Sequence, residues 1–448
     1  MSAVQVPWKE RISYALTDTA SNLVFQVVTT YLLFYYTDSV GISAGVVGTL
    51  FLIARFIDAC DSPIFGILID KTNTRWGKSR PWFLWLALPF SVVAVLTFSV
   101  PDISPTGQIV YAYVTYILLG IIYAGINLPV TSILPSLSSD PQERTVIGVI
   151  RMLFAMIGAV LVTTFTLPMV EKLGGGNDAK GFTLTMAIFA SISFLLFINA
   201  FFQLRERVGA GSAQKSLPLR ESIKAIKGNW PWAIMLFLNF IFWIANIMKT
   251  QTTTYYFTYK INNPDLIPIM MSMNMVMIIT LITVPFFTKK MGKRNTMLMG
   301  LGISIIGQLI MYMGDVIGSV GLLIGGSVVG SLGAGFAAGL LFIMIVDTVD
   351  YGEWKSGVRA QGLLTASSAF GVKFGMGLGG ALSAWLLAFS GYEAGAEQSS
   401  SALFAIDLNY IWIPTICYVL AFIALLFYKL DKVEKVMVAE LEARHASS

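Results

Sequence analysis

Arg55-Phe56-Ile57-Asp58-Ala59-Cys60-Asp61-Ser62-Pro63 lies inside an apolar run from Gly45 to Ile69, long enough to cross a bilayer as one helix. Three charges in such a run are expensive, each costing about 2.5–3.5 kcal/mol at a membrane-helix centre on insertion scales. At about 100° per residue, Arg55 and Asp58 share a face with Asp61 or Ser62. The helix therefore carries a polar stripe that must meet protein or water rather than acyl chains. A carboxylate pair in that position reads first as an ion or proton site.

The rest of the chain fits a membrane setting. Its 448 residues are 56% hydrophobic and 12% charged, with mean hydropathy +0.72, whereas a soluble domain carries about 25% charged residues. Met1 to Arg11 is polar, and the first apolar run is too long for a cleavable signal. Cys60 and Cys417 lie far apart in apolar runs, against a disulfide framework or a cysteine metal site. The single histidine, His445, excludes histidine catalysis or haem ligation in the membrane. Without a nucleophile–base set or ligand cluster, an enzyme is not expected, and no cofactor is.

Twelve spans are predicted, near 12–36, 44–69, 81–100, 108–134, 145–170, 181–204, 231–257, 266–288, 295–314, 317–345, 360–389 and 405–429. With alternating crossings, 23 of the Lys and Arg residues fall on one side and only Lys172, Lys180 and Lys260 on the other. The positive-inside rule then places both termini and the central connection in the cytoplasm of a cell-membrane protein. This distribution also removes any nucleic-acid reading of the +5 net charge. The expected organisation is a six-helix half at 1–204, a cytoplasmic linker at 205–230, a second six-helix half at 231–430 and a cytoplasmic tail at 431–448. Arg75-Trp-Gly-Lys-Ser-Arg80 is echoed by Lys290-Met-Gly-Lys-Arg294, and Asp140-Pro-Gln-Glu-Arg144 by Asp347-Thr-Val-Asp-Tyr-Gly-Glu353, at offsets of roughly 210 residues. A parallel duplication of six-helix halves, with substrate at the midplane between them, is a transporter layout.

Several further polar residues interrupt the spans. Asp18, Asn22 and Gln26 follow strict i, i+4 spacing on the first, and Asn127 and Thr131 on the fourth, one turn after Tyr123. Arg151, Asn239, Asn246, Lys249 and Lys373 lie on later spans. Amides and hydroxyls both donate and accept, which suits a neutral polyol such as a sugar. Bland readings compete: Gln26 and Asn239 as interhelical hydrogen bonders, Lys249 as a snorkelling side chain, Trp82, Trp230 and Tyr259 as interfacial anchors. Arg55 is read as charge partner of Asp58 and Asp61. Arg75, Lys78 and Arg80 with Asp347, Asp350 and Glu353 are read as a cytoplasmic latch joining the halves.

The motifs Tyr14-x-x-x-Asp18-x-x-x-Asn22, Tyr35-Tyr-Thr-Asp38, Ala54-Arg-x-x-Asp58-Ala-x-x-x-Pro63, Thr74-Arg-Trp-Gly-Lys-x-Arg-Pro-Trp82, Asn127-x-Pro129, Arg151 and Asp347-x-x-Asp-Tyr-Gly-Glu353 resemble the glycoside–pentoside–hexuronide:cation symporters. The resemblance covers essentially the whole chain. It implies an all-α major-facilitator fold and cation-coupled sugar uptake. Carried over from melibiose permease, a member of that family, Asp58 matches a cation-site carboxylate, while Asp61 falls on an amide and Ser62 on the second carboxylate. Ala124 and Ala369 replace hydroxyl residues. Asn22 and Asn127 fall where two carboxylates grip a galactosyl group, Thr131 replaces a stacking Trp, and Arg151 and Lys373 match buried basic residues. These departures point away from a dedicated sodium site and from galactosides.

The expected function is therefore symport of a pentoside or other glycoside with H⁺, carried by Asp58 and Asp61. Asp18, Asn22, Asn127, Thr131, Arg151 and Lys373 are the expected substrate contacts. Burial favours the neutral form of a carboxylate and so prepares it to take a proton. The readings left open are Na⁺ at Asp58 and Asp61, a hexuronide substrate, and a transporter-shaped lipid carrier. A monomer in the bilayer, without nucleic-acid partners, is expected.

Overall fold

The computed structural model describes residues 6–447 apart from Ser139, 208–225 and Arg359. Most of the expected 205–230 linker therefore lies outside the described residues. Six long helices come first: α1 (Trp8–Phe34), α2 (Ala44–Lys71), α3 (Arg80–Thr97), α4 (Pro105–Leu137), α5 (Pro141–Gly174) and α6 (Asp178–Gln203). Six more follow: α7 (Trp230–Lys260), α8 (Leu266–Met291), α9 (Lys293–Ile317), α10 (Val320–Ser356), α11 (Gln361–Phe389) and α12 (Ser400–Leu426). Ten of these meet the length and apolarity needed to cross a membrane. The other two, α1 and α2, are of the same length, with 27 and 28 residues. They are the two that carry Asp18, Asn22 and Gln26, and Arg55, Asp58 and Asp61. Expected and observed helix ends differ by a few residues except at α10, which runs eleven residues past 345 to Ser356.

Packing divides the chain into two units. The first holds α1–α6 together with Leu387–Glu397, and the second holds the remainder. Placing 387–397 in the first unit differs from the division expected at 205–230. Its cause is local: the Tyr392 hydroxyl donates to Asp38 Oδ1 at 2.6 Å, and Gly45 lets Ala388 approach closely. In the second unit, α9 and α10 meet through small residues, since a Cβ at Gly307 would overlap the Gly330 backbone. Small residues of this kind set helix approach where lipid removes the hydrophobic drive to associate. The segment expected as a plain tail forms a further helix, α13 (Glu434–Ser447). It packs on α10 through buried Met437 and Leu441 and a bond from Trp354 Nε1 to Glu440.

Two backbone devices recur in both units. α1 ends in a π-helical turn at Tyr35–Ser39, where the Val40 and Ile42 N–H groups reach back to the carbonyls of Tyr35 and Tyr36. α7 ends in the same way at Tyr256–Lys260, with Ile261 and Asn263 reaching Tyr256 and Phe257. The second device is a reciprocal cap. In the first unit the Glu206 carboxylate accepts from the N–H groups of Lys78, Ser79 and Arg80 at 2.8–3.1 Å. Arg80 in return donates Nε and Nη2 to the Phe201 carbonyl near the end of α6. In the second unit Asp431 accepts from Arg294 N, and Arg294 donates to the carbonyls of Leu425 and Leu426. Each cap satisfies groups that a helix start and a helix end leave without intrahelical partners.

Gly77 makes the first cap possible. It sits at φ +107°, and an added Cβ would lie 2.5 Å from Glu206 Cδ. Gly77→Ala and Glu206→Ala are each expected to destabilise the first unit by about 1–3 kcal/mol, from strain in one and unsatisfied N–H groups in the other. Thermal melting of the detergent-purified protein reads this. Melting temperatures equal to wild type would show that the cap contributes nothing.

Candidate substrate and cation sites

One face of α4 organises both sites. Tyr116, Gly120, Tyr123, Asn127 and Thr131 recur at spacings of four, three, four and four, so they form a single stripe. At one end of this stripe Arg55 Nη1 pairs with Asp58 Oδ2 at 2.9 Å, as the i, i+3 spacing on α2 allows. Arg55 Nη2 also donates to the Tyr116 hydroxyl at 3.2 Å. Asp58 packs against α4 where it is bare: a Cβ added at Gly120 would lie 3.2 Å from Asp58 Oδ1. Asp61 is 5% exposed and lies within electrostatic reach of Arg55. Both acids thus face protein, as the cost of a lipid-facing charge demands.

The second group lies on α1 and α5, which run side by side. Arg151 Nε meets Asp18 Oδ2 at 2.7 Å, and Arg151 Nη1 donates to the Tyr14 hydroxyl at 3.1 Å. Tyr14 is itself anchored by donating to the Val130 carbonyl on α4. Two contacts a turn or two further along hold the helices close enough for this pair. Thr19 Oγ1 donates to the Phe154 carbonyl, and Gly158 lets α1 approach at Thr19 and Asn22. Asn22 donates Nδ2 to the Asp18 carbonyl and keeps its amide oxygen for other partners. Asn127 is partly buried and lies one turn from Tyr123 on the same face of α4. Tyr123 stacks on Phe25, with centroids 5.2 Å apart. It is also within electrostatic reach of Asp18 on one side and of Arg55 and Asp58 on the other.

The structure therefore brings Asp18, Asn22 and Arg151 together, with Asn127 on the neighbouring α4 stripe. Thr131 is exposed and turns its hydroxyl back to the Leu128 carbonyl. Lys373 is exposed on α11, in the second unit. Of the residues read as a latch, Arg80 bonds within its cap and Asp347 pairs with Lys293 at 2.7 Å, each inside its own unit. Gln26 bonds Thr30 and Asn239 bonds the Met235 carbonyl, each within its own helix rather than across helices. Lys249 does not snorkel. Its ammonium donates to Gln308 Oε1 at 2.9 Å, and Gln308 is fully buried.

Tyr14 and Tyr116 carry hydrogen bonds in these sites that residue typing did not assign to them. The seven-residue interval from Tyr116 to Tyr123 was the available signal. A third charged group also escaped the sequence reading. Lys260, at the end of α7, meets Asp407 at 2.7 Å and Asp315 at 3.7 Å.

Comparison with known proteins bears on what such sites serve. Residues 13–432 match the model of a family described as MFS/sugar transport protein. The isoprimeverose transporter of Lactiplantibacillus pentosus is 48% identical, over 98% of this chain and 92% of its own. A putative glycoside/cation symporter, YagG of Escherichia coli (strain K12), is 30% identical over 99% and 96%. Among solved structures, a bacterial homologue of the human lysosomal transporter Spinster superposes with a TM-score of 0.70. That match covers 94% of this chain and 96% of the other at 13% identity, which speaks to fold alone.

Proposed function

Because this chain belongs to the MFS/sugar transport protein family, a multispanning membrane transporter rather than an enzyme, we propose that it takes up a neutral pentoside together with one proton. Charge counting in the first unit supports this. The α2 cluster holds one guanidinium and two carboxylates, Arg55, Asp58 and Asp61, and so sums to minus one. A single bound cation brings it to zero, the state that a low-dielectric surrounding favours. The Arg151–Asp18 pair already sums to zero and so calls for an uncharged ligand.

The single observation that carries the reading is the α4 stripe linking the two groups, with Tyr123 in reach of both. A proton on Asp58 weakens its hold on Arg55, which keeps Tyr116 and the nearby charge of Asp61. That change at one end of the stripe alters the field at Tyr123 and Asn127, where the sugar meets Asn22, Asp18 and Arg151. Coupling follows if conformational exchange is favourable when both sites are full or both are empty. A proton is preferred to sodium because Ser62 and Ala124 leave fewer oxygen ligands beside Asp58 than the family resemblance implies for a sodium site. The pentoside assignment draws on the isoprimeverose transporter, the relative at 48% identity. In this reading Thr131 joins the substrate contacts of the first unit. Both termini lie in the cytoplasm, and one chain suffices for transport.

Proteoliposomes test the substrate and the ion together. An imposed pH gradient is expected to drive accumulation of isoprimeverose, while a sodium gradient alone does not. Sodium-driven accumulation would transfer the ion assignment, and preferential uptake of a glucuronide would overturn the substrate assignment.

A further inference from the structure

A cavity of about 410 Å³ opens where α3 begins and α6 ends, in the first unit. Arg75, Arg80 and Arg205 line it, with Trp76, Phe202 and Glu206. The one carboxylate there is already committed, since both Glu206 oxygens accept from main-chain N–H groups of the cap. Arg80 commits three of its five N–H donors to the carbonyls of Phe201 and Trp76 and keeps two for a ligand. Arg75 stacks on the Trp76 ring at 4.6 Å. Among the described residues, neither Arg75 nor Arg205 has a carboxylate partner for its guanidinium. The cavity thus gathers three guanidiniums around one carboxylate whose oxygens already accept main-chain N–H bonds.

The surface next to this cavity is apolar. α3 and α6 pack together and run antiparallel, so that Arg80 and Gln203 lie at the same end. Trp85 and Leu88 on α3 are 47% and 59% exposed, and Leu195 and Phe202 on α6 are 63% and 67% exposed. Leu88 and Leu195 each lie eight residues from that end, about 12 Å down at 1.5 Å per residue. A charged cavity above a paired apolar face matches an amphiphile with an anionic head. Basic pockets between membrane helices bind phospholipid head groups in this manner, and arginine is the residue suited to phosphate oxygens.

We propose that this cavity binds the phosphate of an anionic phospholipid, held by Arg75, Arg80 and Arg205 with its acyl chains along the exposed faces of α3 and α6. The lipid is a resident ligand, separate from the transported sugar, and the site does not depend on which sugar or ion is carried. The test uses the full chain purified in a neutral detergent, with phosphatidylglycerol, phosphatidylcholine or inorganic phosphate added. Bound lipid is counted by native mass spectrometry, and melting temperature is followed in parallel. Phosphatidylglycerol is expected to bind and raise the melting temperature, with little response to the other two.

The double variant Arg75→Gln/Arg205→Gln spares the cap and is expected to melt like wild type without lipid. Its affinity for phosphatidylglycerol should fall roughly thirty-fold, the usual attraction of two cations near an anionic lipid. Arg75→Lys/Arg205→Lys keeps the charge and should retain most of the binding. Equal binding by wild type and the Gln variant, or an equal response to phosphatidylcholine, would overturn the site. A full response to inorganic phosphate would make it a small-anion site rather than a lipid site.

Discussion

Asp58→Asn is expected to abolish uphill sugar accumulation while leaving sugar exchange across the membrane near its wild-type rate. The substitution fixes the α2 cluster at zero charge, since Asn can neither ionise nor release a proton. Arg55 keeps its bond to Tyr116 and its proximity to Asp61, so the helix is not left with an isolated cation. The carrier then resembles its proton-loaded form permanently. It can exchange labelled for unlabelled sugar but cannot return empty with the proton discharged. One charge moved across about 100 mV is worth about 2.3 kcal/mol, or roughly a fifty-fold gradient. The accumulation ratio of the variant should fall from that order to about one. Asp61→Asn gives the control: if it alone uncouples while Asp58→Asn accumulates normally, the proton resides on Asp61. If both variants accumulate like wild type, neither acid belongs to the mechanism. Tyr116→Phe, by removing the second acceptor of Arg55, should shift the pH dependence of uptake without stopping exchange.

The shared faces on α1, α2 and α4 were legible in the sequence because helical periodicity is a local property. Residues three and four apart share a face whatever the tertiary structure, so Arg55 and Asp58, or Asn127 and Thr131, could be placed together without coordinates. Which helix faces which is not local, and there sequence reasoning ran out. Nothing near Gly77 announces that Glu206, far along the chain, will occupy the space its missing Cβ leaves. The repeated Gly-Lys-Ser-Arg80 and Gly-Lys-Arg294 stretches were visible as repeats. Their role in capping a neighbouring helix end depends on acids at 206 and 431 that no fixed spacing connects to them.

Lys249 shows where a side-chain type misleads. Even the helix end expected near 257 lay eight residues, about 12 Å, beyond this lysine. The π-helical turn carries α7 on to Lys260, eleven residues past Lys249, or roughly 16 Å along the axis. That exceeds the reach of the side chain, and Gln308 on α9 supplies the polar partner instead. The same turn brings Lys260, expected in a loop, against Asp407 and Asp315. π-turns add a residue to the helical register and have no periodic signature, so this placement of Lys260 was out of reach of pattern reading.

Arg151→Gln is expected to lower sugar uptake about a hundred-fold, through binding rather than coupling. Arg151 holds two groups at once, Asp18 at 2.7 Å and the Tyr14 hydroxyl at 3.1 Å. A planar guanidinium can serve both directions together, whereas an ammonium cannot hold that fork. Arg151→Lys should therefore restore charge balance yet recover only part of the binding. Removing one partner of a buried pair leaves the other charged and unpaired, at about 3–5 kcal/mol. Asp18 and Arg151 are 14% and 25% exposed at their side chains, which favours the low end, about 3 kcal/mol of stability, while the charged hydrogen bond lost to the sugar, up to about 3 kcal/mol, sets the roughly hundred-fold fall in affinity. The double variant Asp18→Asn/Arg151→Gln separates structure from function. It removes both charges, so it should melt at a higher temperature than either single variant. If the pair only holds α1 to α5, the double variant transports like wild type. If Arg151 also grips the sugar, stability returns and sugar affinity does not. Equilibrium binding of isoprimeverose, measured beside the melting temperature, distinguishes the two, and full recovery of both would remove Arg151 from the substrate site.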